Sequence, residues 1–200
     1  MTNFLDVLIY YSNPITVPDS AFEKAGRTML GVAGDIRVSQ EILAVTTRED
    51  LINVWNGVAS QCRVNNALIR YCFLYTHASK EGSDLDGLEF AGSSNQNTLT
   101  RDDILALAVL PFQAQDSELL LAGCNTGVTG TRGWSPAQAF RERQVARDVV
   151  GRSGYAYFSK DEFQYVATSP NDTAIYLNAY RRMRNGMGGG EAMEDVLMRR

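Results

Sequence analysis

The strongest strand signal in the chain is Ala67-Leu68-Ile69-Arg70-Tyr71-Cys72-Phe73-Leu74-Tyr75-Thr76, and His77 follows it directly. Apolar and aromatic residues fill this run almost without interruption, a pattern typical of a strand that is buried on both faces of a parallel sheet. Similar but shorter runs predict further strands at Asp6–Ser12, Ile42–Val45 and Glu118–Gly123.

Helix signals separate these strands. Three helix starts show the capping-box spacing, in which a hydroxyl residue is followed three positions later by an acidic or amide residue. The pairs are Thr47 and Asp50, Thr100 and Asp103, and Ser135 and Gln138. The predicted helices cover residues 21–32, 48–58, 104–109, 136–150 and 174–183, and later strands are expected at 154–158 and 164–168. Strands that alternate with helices imply βα crossovers, so the sequence predicts an α/β fold with a mostly parallel central sheet.

The length of 200 residues and the hydrophobic content of 44% suit one globular domain, which we place at residues 1–184. After Arg184 the composition changes to Asn185-Gly186-Met187-Gly188-Gly189-Gly190, and a short helix-like piece follows. We expect residues 185–200 to be a flexible Gly-rich C-terminal tail.

The composition excludes several classes of function. The net charge of -4 argues against binding of nucleic acid through bulk charge. A single histidine excludes zinc sites built from several imidazoles, and the spacing of the three cysteines gives neither a metal knuckle nor an even disulfide framework. Gly127, Gly130 and Gly133 lack the Gly-Lys-Ser/Thr of a phosphate-binding loop. We therefore expect no cofactor and no metal.

The N-terminal segment carries no targeting signal. Met1–Asp6 has no basic region, and the apolar run that follows, Val7–Tyr11, is too short to span a bilayer or to form a secretory core. We expect a protein that does not associate with membranes and is either cytoplasmic or exported without a cleaved signal peptide.

Two residues at strand ends could carry chemistry. Ligand sites in parallel sheets lie at the carboxyl ends of the strands, and His77 and Cys124 both occupy such positions. A thiol becomes a useful nucleophile when an imidazole takes its proton, and the Gly-rich turn around Cys124 could turn backbone N–H groups toward an oxyanion. From the residues alone, structural roles for both are the alternative. Cys62 and Cys72 should be buried and inert.

The segment from Leu74 to Gly127 resembles the caspase-like (clan CD) cysteine peptidases, and among them the CHAT peptidase family most closely. That family places a histidine after one hydrophobic strand and the nucleophile after the next, often as Ser-Ala-Cys-Asn-Thr-Gly. This chain has Tyr75-Thr76-His77-Ala78 and Ala122-Gly123-Cys124-Asn125-Thr126-Gly127, with a hairpin and helix start between them. The resemblance implies a three-layer αβα caspase-like fold.

The resemblance also implies roles for the site residues. Cys124 would attack a peptide carbonyl, His77 would act as general acid and base, and the backbone N–H groups of Ala78 and Cys124 would bind the oxyanion. Two positions depart from the family pattern. Ala78 stands where glycine is usual, so the oxyanion hole needs a backbone conformation that alanine tolerates. Gly123 stands where alanine is usual, which we expect to loosen the turn.

The implied function is a cysteine endopeptidase that cleaves a protein or peptide substrate, either as a stand-alone effector or under control of a regulatory or inhibitory protein. The acidic residues Asp84, Asp86 and Glu89, with Glu81, would favour a basic residue before the scissile bond, although a solvated charge run is the alternative. Asn125 is a further candidate for substrate binding. Two other functions stay open: an amidase or acyltransferase with the same dyad, and a non-catalytic binding module.

Overall fold

The computed structural model describes residues 3–13, 21–33, 35, 37–78, 87–90, 97–130, 132–152, 165–168, 173–178, 181–186 and 195–199. The helices in these ranges are α1 (Ala21–Ala33), α2 (Arg48–Asn65), α3 (Arg101–Ala106) and α4 (Pro136–Arg143). The strands are β1 (Asn3–Tyr11), β2 (Ser39–Val45), β3 (Ala67–Tyr75), β4 (His77–Ala78), β5 (Leu88–Glu89), β6 (Thr98–Leu99), β7 (Glu118–Leu121), β8 (Asp148–Arg152), β9 (Tyr165–Thr168), β10 (Thr173–Asn178), β11 (Arg181–Gly186) and β12 (Asp195–Arg199).

The central sheet has the strand order β12-β8-β7-β3-β1-β2. Its five strands from β8 to β2 are parallel to one another, and β12 pairs with β8 in the antiparallel direction. Two small antiparallel sheets, β4-β5-β6 and β9-β10-β11, accompany it. The predicted α/β class with a mostly parallel sheet is therefore confirmed.

Helices cover both faces of the central sheet. Val7 and Ile9 of β1 pack in one buried cluster with side chains of α2, α3 and α4, among which Trp55 and Phe140 are the largest. Leu8 and Tyr10 point the other way and pack with Leu30 of α1. This alternation explains why the strand residues are apolar at nearly every position. No helix in the described part of the chain is long and apolar enough to cross a membrane.

All three predicted capping boxes are present. Thr47, Thr100 and Ser135 each accept a hydrogen bond from the backbone of the third helical residue, whose side chain bonds back to the backbone of the cap. Pro136 occupies the first turn of α4, as the sequence predicted. Such local hydrogen bonds are decided by neighbouring residues, which is why they could be predicted from the sequence.

Several predicted element ends are wrong. The helix expected at 136–150 ends at Arg143, because Gln144 is extended and its side chain bonds the backbone of Leu110 and Ala108. Residues 148–152 form β8 instead. The helix expected at 104–109 begins at Arg101 and ends at Ala106, well before Pro111.

The C-terminal predictions also need correction. The expected helix over 174–183 is replaced by β10 and β11, which pair with each other, and β10 also pairs with β9. Its β-branched and aromatic residues suit a strand as well as a helix, and strand pairing decides between them. The helix-like piece expected near the C-terminus is the strand β12. The strand expected at 154–158 lies outside the described residues.

A buried ion pair ties β1 to β3. The register between these strands shifts after Leu5, which leaves Arg70 as the extra residue of a bulge. Its guanidinium donates to both carboxylate oxygens of Asp6, at 3.1 and 2.6 Å. The Asp6 side chain is fully buried, so this pair supplies its charge partner inside the sheet.

Candidate functional site

The segments that carry His77 and Cys124 leave the central sheet side by side. β3 and β7 are neighbours, and their register ends with Leu74 opposite Leu121. The Ala122 N–H then donates to the Leu74 carbonyl at 2.8 Å. His77 lies three residues beyond Leu74, and Cys124 lies three residues beyond Leu121. The structure therefore brings both predicted residues to the same edge of the sheet, as the parallel topology required.

The two segments touch at Gly123. A Cβ atom built on this glycine would lie 2.7 Å from the Thr76 carbonyl oxygen and 3.4 Å from the Ala78 Cβ. The residue before Cys124 therefore lies against both sequence neighbours of His77. We expected Gly123 to loosen the turn, but its absent side chain instead allows this close approach.

Cys124 differs from the other two thiols in its surroundings. It is partly exposed, whereas Cys62 and Cys72 are buried. Burial raises the pKa of the Cys62 and Cys72 thiols, because the apolar core disfavours the charged thiolate. The predicted burial of these two cysteines is therefore confirmed, and raised thiol pKa values disfavour the reactive thiolate. Asn125 follows Cys124 with a φ of 53°, so the chain turns sharply in the left-handed region just after the thiol.

His77 is exposed to solvent, although aromatic side chains lie against its ring. Its centroid lies 4.9 Å from that of Phe22 and 5.3 Å from that of Tyr11, both in edge-to-face geometry. Phe90 packs against Tyr11 in turn, at 6.2 Å. These neighbours displace water, and the resulting desolvation lowers the pKa of His77 below 6.5. This shift favours the neutral imidazole, which is the form that can accept a proton.

The small sheet β4-β5-β6 fixes the backbone after His77. Ala78 lies opposite Leu88 in the β4–β5 pair. The backbone of Leu88 faces β6, because the hydrogen bond from Phe90 N–H to the Asn97 carbonyl (3.1 Å) sets the alternation of that ladder. The Ala78 N–H consequently points away from β5.

The same alternation puts the Ala78 N–H on the side of the Thr76 carbonyl, since these two groups of an extended chain point in one direction. This is the side on which Gly123 approaches. Ala78 also has no positive φ, so alanine fits here without backbone strain. The departure from glycine at this position is accommodated by an ordinary extended conformation.

The turn that carries Cys124 is tied to β8. The Thr126 side chain is fully buried, and its hydroxyl accepts a hydrogen bond from the Arg152 N–H at 2.9 Å. The same hydroxyl oxygen lies 2.8 Å from the Leu121 carbonyl oxygen and 3.1 Å from the Gly123 carbonyl oxygen, and its single proton is shared between them. Gly127 donates its N–H to the Arg152 carbonyl at 2.9 Å. A Cβ on Gly151 would come within 2.5 Å of Gly127, so the turn packs directly on the backbone of β8.

The remaining predicted residues divide into two groups. Glu89 lies directly opposite His77 in the β4–β5 pair, and Asn125 lies next to Cys124. Asp84 and Asp86, like Glu81, lie outside the described residues. Sequence reasoning missed Tyr11 and Phe22. Tyr11 could have been found, because it ends β1 at the same carboxyl edge of the sheet.

Within the ranges that the structure describes, no cluster of three or more histidine, cysteine or acidic side chains could hold a metal ion. No protein-family model matches the chain, and neither does any curated protein.

Proposed function

We propose that the protein is a cysteine endopeptidase of the caspase-like, CHAT type, in which Cys124 is the nucleophile and His77 is the general acid and base. One observation carries this proposal: the two segments leave adjacent parallel strands at the same edge and touch at Gly123. Such an arrangement supports a thiol and an imidazole acting on one substrate atom. The motif resemblance adds the reaction class.

The proposed reaction has two stages. The Cys124 Sγ attacks the carbonyl carbon of the peptide bond while its proton passes to the His77 imidazole. The tetrahedral intermediate collapses with loss of the amine, which takes the proton from the His77 imidazolium. A water molecule then attacks the thioester with His77 as base, which releases the carboxylic acid and restores the thiol.

Two features of the site support these roles. The lowered pKa of His77 favours the neutral imidazole, which is the form that can take the thiol proton. The Ala78 N–H faces the side on which Gly123 approaches, and an oxyanion donor would face the same way. The Cys124 N–H would be the second donor.

Substrate preference belongs to the same proposal. Glu89 stands opposite His77, where a carboxylate would favour a basic residue next to the scissile bond. Asp84, Asp86 and Asn125 would extend the contacts with a protein or peptide substrate, and a regulatory or inhibitory protein would act at the same edge of the sheet.

Labelling of the native protein tests the dyad. We expect a peptidyl acyloxymethyl ketone to label Cys124 alone, and Cys124→Ala to abolish labelling. His77→Ala should slow labelling by about 100-fold or more, because general base catalysis contributes about 10²–10⁴-fold. Cys62→Ala is the matched control and should label like the parent. Equal labelling rates for parent and His77→Ala would refute the dyad.

Two outcomes separate the other functions. Cleavage of acyl donors or cell-wall fragments, with no cleavage of peptide libraries, would identify an amidase or acyltransferase. An ordinary Cys124 thiol pKa of about 8.5 that does not respond to His77→Ala would indicate a non-catalytic binding module.

A further inference from the structure

One backbone hydrogen bond expected between β7 and β8 is absent, and the Thr126 side chain takes its place. Asp148 donates its N–H to the Ser117 carbonyl at 3.1 Å where the two strands begin to pair. In a parallel ladder such bonds recur at every second residue, so continuation would bring the Arg152 N–H to the Leu121 carbonyl. Both groups bond instead to the Thr126 hydroxyl, which stands between them.

The neighbouring contact follows the same rule. A continued ladder would pair the Arg152 carbonyl with the N–H of Gly123, the residue before Cys124. The Arg152 carbonyl accepts from the Gly127 N–H instead, at 2.9 Å. Arg152 of β8 therefore bonds to Thr126 and Gly127, and residues 123–125 form no hydrogen bond of the β7–β8 ladder.

We propose that Thr126 is a positioning residue. Its hydroxyl replaces the backbone hydrogen bond between the Arg152 N–H and the Leu121 carbonyl, and it thereby holds the turn that carries Cys124 out of the sheet. The inference depends on the proposed peptidase function for its consequence, since the positioned group is the nucleophile. The side chain is fully buried, so Thr126 acts through the turn and does not touch substrate. Its methyl group also packs on Gly123, at 3.0 Å from the position of a Cβ there.

Thr126→Val removes the hydroxyl and nearly preserves the shape, whereas Thr126→Ser keeps the hydroxyl and removes the methyl. The readout is the rate of Cys124 labelling by a panel of peptidyl acyloxymethyl ketones, divided by the rate with iodoacetamide. The ketone needs a positioned thiolate beside oxyanion donors, but iodoacetamide needs only a thiolate. This ratio isolates placement of the thiol from its ionisation and from general loss of stability.

We expect Thr126→Val to lower the ratio about 10- to 100-fold, the effect of a nucleophile displaced by about 1 Å, and Thr126→Ser to stay within about threefold of the parent. Thr28→Val is the matched control. Thr28 is also buried, and its hydroxyl donates to the Lys24 carbonyl of the same helix at 2.9 Å, so the ratio of this variant should equal that of the parent.

A folded Thr126→Val protein with the parental ratio would overturn the inference, and so would an equal loss in the serine and valine variants. If the valine variant does not fold, Thr126→Ala replaces it with the same expected loss. His77→Ala is measured in parallel: when it slows ketone labelling and Thr126→Val does not, the positioning role fails and the peptidase proposal stands. When His77→Ala labels like the parent, the peptidase proposal itself fails.

Discussion

Replacing Gly123 by alanine tests the contact that joins the two loops of the candidate site. The family resemblance alone predicts a harmless change, because alanine is the usual residue at this position. The geometry predicts the opposite result. The new Cβ would lie 2.7 Å from the Thr76 carbonyl oxygen and 3.0 Å from the Thr126 Cγ2, and neither group sits at the end of a flexible side chain.

The expected cost follows from two opposing effects. Overpacking of a closely packed site costs about 1–3 kcal/mol. Alanine also restricts the unfolded chain relative to glycine, which returns about 0.4–1 kcal/mol where the backbone angles allow it. Because Gly123 has no positive φ, this second effect applies. We expect a net loss of about 1–2 kcal/mol in the free energy of unfolding, measured by urea denaturation at constant m-value.

The same variant should label more slowly at Cys124 with the ketone probe, because the Cys124 segment must move away from His77. Gly57→Ala in α2 is the matched control, since a Cβ there meets no atom within 4 Å. It should stabilise the protein by up to about 1 kcal/mol through helix propensity. Parental stability together with parental labelling in Gly123→Ala would show that the loops do not touch as described.

Three further results are expected. Burial lowers the pKa of His77, so the contribution of His77 to stability is full above pH 6.5 and is lost as the pH falls through the lowered pKa. His77→Gln should therefore reduce the dependence of the urea midpoint on pH between about pH 7.5 and 5. An unchanged slope of midpoint against pH would contradict this. Arg70→Met leaves the buried Asp6 carboxylate without its charge partner and should lower the free energy of unfolding by about 3 kcal/mol. The double variant Asp6→Leu/Arg70→Met should recover most of that loss. Additive losses of the two single variants in urea denaturation would argue against the ion pair. The buried Thr76 hydroxyl has no hydrogen-bond partner among the described residues, so Thr76→Val should leave stability equal or raise it by about 1 kcal/mol, and a clear drop in melting temperature would reveal a bond to that hydroxyl.

The central sheet and the helix starts could be predicted because their causes are local. A run such as β3 is apolar on both faces, which is the requirement for a central parallel strand. Thr47, Thr100 and Ser135 cap their helices through hydrogen bonds that span three residues. Neither feature depends on distant parts of the chain.

The wrong predictions concern segments whose conformation distant residues decide. Val149 and Val150 fit a helix pattern or a strand, and pairing with β7 makes them a strand. Residues 174–183 satisfy both patterns as well, and pairing of β10 with β9 and β11 selects the strand. The secondary-structure propensity of a local segment contains no information about which partner strand is available.

The candidate site was predictable only at the level of strand ends. The rule for parallel sheets pointed to His77 and Cys124, and β3 and β7 are indeed neighbours. The ring contact of Phe22 with His77, the approach of Gly123 to Thr76, and the bridging hydroxyl of Thr126 all arise from tertiary packing. No spacing in the sequence encodes them.

The order of the strands has a consequence for the newly made chain. β1, β3, β7 and β8 lie next to one another in the central sheet, and each pairs with a strand distant in sequence. A ribosome-bound chain that ends before Arg152 lacks the N–H that donates to the Thr126 hydroxyl, so the turn that carries Cys124 has not yet formed its contact with β8. Pairing of parallel strands over such separations is slow, because the entropy cost of closing the loop comes before the contacts that stabilise the pair. The candidate site is therefore completed late in synthesis, after most of the domain has been made.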